Sequence, residues 1–225
     1  MKDLFSVAID GPAGAGKSTV ARAVAENCGA IYLDTGAMYR AIGLWMRKHG
    51  IDPCDRETVT AHIDEVGIDV RYEGGAQRVF LDGEDVSSEI RENEISQAAS
   101  AVSAHPAVRE RMVSMQREIA RGKNVVMDGR DIGTKVLPDA TVKVFLTAAP
   151  EERARRRLLE MQCKGEECDY QDVLEAIRKR DSDDSSRDAS PLCKAPDAVE
   201  IDSSRMDEEM VIGEILRLLS EARDK

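Results

Sequence analysis

The stretch Ile9-Asp10-Gly11-Pro12-Ala13-Gly14-Ala15-Gly16-Lys17-Ser18-Thr19 decides the fold. Residues 11–18 satisfy G-x-x-x-x-G-K-[ST], the phosphate-binding loop, and both flanks suit it. Residues 4–9 are rich in Val, Ile and Phe and read as a buried strand, while residues 19–28 are Ala-rich and read as a helix. The loop therefore joins a strand to a helix N-terminus, where unpaired backbone N–H groups and the helix dipole favour an anion. Gly11, Gly14 and Gly16 let the backbone curl closely around phosphate. Lys17 is placed to reach the β- and γ-phosphates, and Ser18 to ligate Mg²⁺. The expectation is a nucleoside triphosphate on residues 11–19.

Outward from the loop, strands and helices alternate, which predicts a parallel sheet with helices on both faces. The strands are expected at 5–10, 31–34, 124–128, 142–147 and 198–202. The helices are expected at 17–28, 37–49, 56–66, 89–103, 106–121, 151–162, 170–180 and 207–222, the last with Ile212, Ile215, Leu216 and Leu219 on one face. Residues 67–86 break the alternation: two β-prone runs flank Gly74-Gly75, a hairpin signal, and a short return follows. Residues 163–169, charged and containing Gly165, read as a mobile lid tip between two charged helices. The fold class is α/β: a P-loop three-layer α/β/α architecture with a five-stranded parallel sheet, a small antiparallel β insert and a helical lid.

Composition narrows the function classes. The chain has 225 residues, 42% of them apolar, enough for one α/β domain with a sizeable core. A formal net charge of −11 disfavours a protein that coats nucleic acid. No apolar run is long enough to span a bilayer and the phosphate loop begins almost at once, so a cytoplasmic protein with no membrane partner is expected. Cys28, Cys54, Cys163, Cys168 and Cys193 are odd in number and scattered, and read as free thiols. Cys163 and Cys168 have half the makings of a zinc knuckle, but no second pair completes it.

Three further stretches carry chemistry. Leu33-Asp34-Thr35-Gly36-Ala37-Met38-Tyr39-Arg40 ends the second strand, at the edge where ligands sit in open parallel sheets. Asp34 and Thr35 suit a helix cap, and Arg40, a turn further on, suits a phosphate. The run Val125-Val126-Met127-Asp128 ends in a carboxylate, the pattern of an acid that orients Mg²⁺ or its water. Gly129-Arg130-Asp131-Ile132-Gly133-Thr134 follows it on the same rim. Arginines then bracket the lid tip, at 153, 155, 156 and 157 before it and at 178, 180 and 187 after it. Helical charge runs are usually solvated faces. Phosphoryl transfer, however, needs cations that close over the transferring group, and Lys17, Arg130, Arg153, Arg157 and Arg180 are expected to act there.

With these segments in order, and with Pro138-Asp139-Ala140, Lys143-Val144-Phe145-Leu146, Asp82-Gly83-Glu84-Asp85-Val86-Ser87 and Arg180-Asp181 through Pro191-Leu192 beside them, the chain resembles the bacterial cytidylate kinases of the P-loop nucleoside monophosphate kinase superfamily. The resemblance covers essentially the whole chain. It implies a single domain, 1–225, with a core of 1–34, 104–150 and 188–225, an acceptor-binding region near 35–103 and a lid near 151–187. It implies transfer of the γ-phosphoryl group of ATP to CMP or dCMP by a monomeric enzyme whose partners are small molecules, with Mg²⁺ held by Ser18 and Asp128. Gly11, Pro12, Ala13, Gly14, Ala15, Gly16, Lys17, Ser18 and Thr19 would hold the ATP phosphates, and Arg40, Arg130 and Arg187 the CMP phosphate. Thr35, Arg180 and Asp184 would contact the pentose, and Ser100, Arg109 and Asp131 the cytosine. A carboxylate accepts from the cytosine N4 amine and an arginine donates to its N3 and O2, whereas uracil presents the wrong polarity to both. The rivals are a kinase for another acceptor such as UMP or dTMP, a GTPase-type switch, for which no Asn-Lys-x-Asp motif is present, and a non-catalytic nucleotide-binding module.

Overall fold

The computed structural model of the protein describes residues 4–163, 165–187 and 189–224. In chain order the elements are β1 (Ser6–Asp10), α1 (Lys17–Cys28), β2 (Ile31–Asp34), α2 (Thr35–Lys48), α3 (Arg56–His62), β3 (Ile68–Glu73), β4 (Ala76–Leu81), β5 (Glu84–Asp85), α4 (Asn93–Val102) and α5 (Pro106–Ala120). There follow β6 (Val125–Gly129), β7 (Val142–Thr147), α6 (Pro150–Cys163), α7 (Tyr170–Ser185), β8 (Val199–Asp202) and α8 (Glu208–Arg223). The expected architecture is present: a five-stranded parallel sheet in the order β2-β6-β1-β7-β8 and a three-stranded antiparallel sheet, β3-β4-β5. The chain divides into two compact units, Met1–Ala30 with Asn124–Lys225 over their described residues, and Ile31–Lys123. Lys164, in the expected lid tip, and residues 1–3, 188 and 225, in the expected core, lie outside the described residues.

In the first unit β1 lies between β6 and β7, in register Val7↔Val126 and Ile9↔Val144. A strand covered on both faces cannot alternate, and Val7, Ala8 and Ile9 are all fully buried. Helix α1 buries Val20, Ala21, Val24 and Ala25, a stripe at helical spacing, and ends on Gly29, whose left-handed backbone (φ 65°) turns its N–H back to the last carbonyls. Helices α6 and α7 have a small core of their own, in which Ala154, Val173, Leu174 and Ile177 meet. This cluster lets two highly charged helices hold a defined geometry.

In the second unit α2 packs on α4 at Gly43, where a Cβ would lie 2.9 Å from the backbone nitrogen of Ala99. Any larger side chain there would push the helices apart. Helix α5 opens with Pro106 at its first position, where the missing N–H costs nothing. The expected hairpin is present, turning at Gly74 and Gly75, both at positive φ.

Most expected elements are found within two residues, with three differences: the helix expected over 56–66 ends at His62 and gives way to a 3₁₀ turn, Ile63–Glu65, and the other two are larger in consequence. The helix expected over 89–103 is broken: Glu89–Arg91 forms a single 3₁₀ turn, Glu92 is extended (ψ 148°), and α4 starts at Asn93. A continuous helix would set Ile90 about 140° around the axis from Ile95. The break lets both side chains be buried. Helix α7 runs on to Ser185, past the expected end at Arg180, which places Asp181 and Asp184 on a helix. Among the described residues no helix is long and apolar enough to cross a membrane.

Candidate functional site

The phosphate loop runs from the end of β1 into α1. Gly11 is committed to its residue type by two facts: φ is +151°, and a Cβ would sit 2.0 Å from the Leu146 carbonyl oxygen at the end of β7. Gly16 precedes α1 in a left-handed conformation (φ 85°). Lys17 is buried and donates from Nζ to the Pro12 carbonyl at 2.6 Å, so its ammonium spans the loop. Its pKa is driven well below the usual lysine value, first by burial and then by repulsion from Arg130 and Arg180, against the pull of Asp128 and Asp10. A bound polyphosphate would supply the negative charge this position lacks.

Ser18 donates from Oγ to Oδ2 of Asp128 at 2.8 Å. Asp128 lies near the C-terminal end of β6 and is buried, as expected for the acid that ends an apolar strand. A hydroxyl and a carboxylate side by side at the phosphate loop are hard oxygen donors of the kind Mg²⁺ takes beside phosphate, so the residues present fit that ion. Among the described residues no group of three or more His, Cys, Asp or Glu is arranged to hold a metal, and all five cysteines are free thiols.

The rim after β6 is built on a carboxylate. Ile132–Val136 forms one turn of π-helix, and Asp10 accepts from the first two of its backbone N–H groups, Ile132 at 2.8 Å and Gly133 at 2.7 Å. Asp10 thereby fixes the segment that carries Arg130 and Asp131. Its carboxyl is pushed up to about 6, by burial first and with the neighbouring Asp131 adding to it, against the two N–H bonds and Lys17, which pull it down.

Arg130 donates from Nε to Oδ2 of Asp184 at 2.8 Å, and Arg187 reaches Oδ1 of the same carboxylate at 2.5 Å. Burial works against the Asp184 charge, but Arg130, Arg187 and Arg180 together outweigh it and hold its pKa below the usual carboxylate value. Thus Lys17, Ser18, Asp128, Arg130, Arg180, Asp184 and Arg187, each proposed from the sequence, form one electrostatic cluster in the first unit. Arg153 and Arg157 are placed differently. Arg153 is only 3% exposed and bonds Asp181 through both terminal nitrogens (3.0 and 2.6 Å), the Ala148 carbonyl (2.8 Å) and the phosphate-loop carbonyl of Ala13 (3.1 Å). Arg157 pairs with Glu160, three residues further along α6, at 3.1 Å.

The second unit carries Thr35, Arg40, Ser100 and Arg109. Asp34 caps α2 by accepting from the Ala37 N–H at 2.9 Å and holds Arg40 Nη2 at 2.8 Å with its other oxygen. Thr35, the first residue of α2, is buried. Ser103 ties the other two together: its Oγ donates to the Ser100 carbonyl and its own carbonyl accepts from Arg109 Nη1, both at 2.8 Å. The Arg109 guanidinium also lies over the Tyr39 ring, 5.6 Å from the centroid. Tyr39 therefore carries contacts from the Arg40 helix to the Arg109 helix.

Sequence reasoning passed over the holders: Asp10, read only as a strand end, and Asp181, read as part of a polar run. A carboxylate one residue before a phosphate loop was the available signal for the first. For the second there was none, because its partner Arg153 lies 28 residues away.

Comparison with known proteins follows the same lines. The chain matches the family profile described as Cytidylate kinase over residues 7–221. It is 51% identical over 214 residues to the cytidylate kinase of Caldicellulosiruptor bescii, covering 95% of each chain. It is 53% identical over 216 residues to that of Mycobacterium leprae, covering 96% of this chain and 95% of the relative. Among solved structures it resembles a shikimate kinase from Acinetobacter baumannii at 17% identity and a TM-score of 0.51, over 100% of this chain and 97% of that one, a likeness of fold. A profile that spans nearly the whole chain, and relatives that share half its residues over almost their full length, show that the chain belongs to the cytidylate kinase family.

Proposed function

We propose that the protein transfers the γ-phosphoryl group of ATP to CMP or dCMP, giving CDP or dCDP and ADP. The observation that carries this reading is the cluster of Arg130, Arg180 and Arg187 held around Asp184, with Arg130 and Arg180 also acting on Lys17 of the phosphate loop. Such a site can hold two phosphate groups and stabilise the charge shared between them.

Each residue then has a task. Residues 11–19 bind the ATP phosphates through backbone N–H groups and Lys17. Ser18 and Asp128 would hold Mg²⁺, which when bound would neutralise charge on the triphosphate. Arg40, Arg130 and Arg187 bind the acceptor phosphate. Thr35, Arg180 and Asp184 contact the pentose. Ser100, Arg109 and Asp131 select cytosine, the carboxylate accepting from N4 and the guanidinium donating to N3 and O2. Arg153, Arg157 and Arg180 enclose the transferring group; in Arg153 that task is combined with bracing the Ala13 carbonyl. The acceptor is a phosphate oxygen that is already ionised, so the chemistry needs no general base. Positioning in line and charge neutralisation carry the rate.

A coupled ADP-release assay with ATP and a panel of CMP, dCMP, UMP, dTMP, AMP and shikimate tests the reading. Turnover of CMP or dCMP at least tenfold above every other acceptor is expected; a preference for UMP, dTMP or a non-nucleotide would overturn it.

A further inference from the structure

The antiparallel insert has no task in the chemistry above, yet one of its side chains reaches the residue on which the acceptor arginine depends. Gln77, on β4, accepts at Oε1 from the Asp34 backbone N–H at 2.7 Å and donates from Nε2 to the Asp34 carbonyl at 3.2 Å. Asp34 ends β2, an edge strand of the parallel sheet. An edge strand leaves peptide groups without a neighbour. A primary carboxamide presents a donor and an acceptor along one edge, as the N–H and C=O of a single strand residue do, so Gln77 replaces the missing strand at this one residue. Gln77 is itself half-buried and set in register opposite Tyr72, with β3 behind it. Its reach is therefore fixed by the hairpin.

Asp34 in turn commits both side-chain oxygens, one to the Ala37 N–H and one to Arg40. Arg40 lies back across the start of α2, where a Cβ on Gly36 would come within 3.1 Å of Arg40 Nη1. Rotation of the Asp34 peptide would swing its carboxylate, and with it both the helix cap and the guanidinium. Thr35 follows Asp34 directly and moves with the same peptide.

We propose that Gln77 is a positioning residue for the acceptor nucleotide: its carboxamide locks the Asp34 peptide and so sets Thr35 and Arg40 for binding. The proposal rests on the assignment of Thr35 and Arg40 to the acceptor. It gives the insert a purpose as the template that shapes the acceptor end of the second unit.

The test compares Gln77→Ala and Gln77→Glu with the wild type in steady-state kinetics, using whichever monophosphate the wild type turns over fastest. That choice separates a wrong acceptor assignment, which shows in the wild type alone, from a wrong role for Gln77. Gln77→Glu keeps the shape and the acceptor but sets an oxygen against the Asp34 carbonyl. Both variants should raise KM for the acceptor by about tenfold, with KM for ATP within about twofold of wild type. The Asp34 amide should also exchange faster with solvent in both, by NMR with no substrate present. Equal rises in KM for ATP and acceptor, a lowered Tm with acceptor KM unchanged, or wild-type kinetics in Gln77→Glu would each overturn the proposal.

Discussion

Gly11→Ala is the sharpest probe of the phosphate loop, because the structure fixes what the added methyl would strike. The Cβ would lie 2.0 Å from the Leu146 carbonyl oxygen, whereas real Cβ atoms essentially never come under 3.0 Å. Leu146 belongs to β7, which pairs with both β1 and β8, so its carbonyl cannot yield alone. The loop or the strand end has to shift by about 1 Å, a displacement that elsewhere costs about a hundredfold in rate. Overpacking adds about 1–3 kcal/mol and a positive φ on an L-residue about 1–2 kcal/mol. For a chain of this length those amounts lower Tm by about 5–20 °C. Gly122→Ala is the matched control: φ is +70°, but nothing lies within 4 Å of its Cβ, so it carries the backbone strain without the collision. The assay is a thermal melt together with KM for ATP and kcat for both variants. Gly11→Ala should melt well below Gly122→Ala and lose at least about tenfold in kcat/KM for ATP. If the two variants melt within about 2 °C of each other and both bind ATP normally, the close approach of loop and β7 does not constrain the protein.

Asp10 predicts a pH effect with a definite sign. Its folded pKa, about 6, stands above the ordinary 3.8, so its protonation stabilises the fold fully below 3.8 and that contribution is lost as pH rises through 6. Relative to Asp10→Asn, the wild type should therefore gain about 2.4 kcal/mol between pH 7 and pH 4 in urea melts; a difference independent of pH would refute it. Arg153→Lys should lose the two-nitrogen grip on Asp181 and the bond to Ala13 together, lowering Tm by several degrees and kcat with it. An unchanged Tm with a large fall in kcat would instead mark Arg153 as acting on the phosphoryl group alone.

How much of this was legible in the sequence depended on the distance over which each signal acts. The phosphate loop, the strands and the hairpin are written in local patterns, and the structure has them nearly where those patterns put them. Boundaries failed where local and long-range preferences disagree. The run Asp181-Ser182-Asp183-Asp184-Ser185 has weak helix propensity and reads as a helix end. It stays helical in company with Arg153 on Asp181 and Arg130 and Arg187 on Asp184, two of them far off in the chain. The split at Glu92 was in principle readable, since Ile90 is out of phase with Ile95, Ala98 and Val102. The holding bonds of Asp10 and Gln77 were not, because each joins a side chain to backbone groups at least 43 residues away.

The same holding bonds explain how a chain of net charge −11 keeps sites for polyphosphate. Nearly every arginine assigned to substrate is oriented by a carboxylate or a carbonyl: Arg40 by Asp34, Arg130 and Arg187 by Asp184, Arg109 by the Ser103 carbonyl. A guanidinium has five donors in a planar fork, so one edge can be committed to a holder while another faces a ligand. The holders lower the repulsion among buried cations in the free protein and fix their directions before any phosphate arrives. Lys17 differs in being buried beside Arg130 and Arg180, which together with burial depress its pKa against the pull of Asp128 and Asp10. A triphosphate on the loop would restore the Lys17 charge, because its negative oxygens favour the ammonium form. Guanidinium groups whose directions are fixed in the free protein favour phosphoryl transfer over simple anion capture, because the orientation is set before the reaction and need not be found during it.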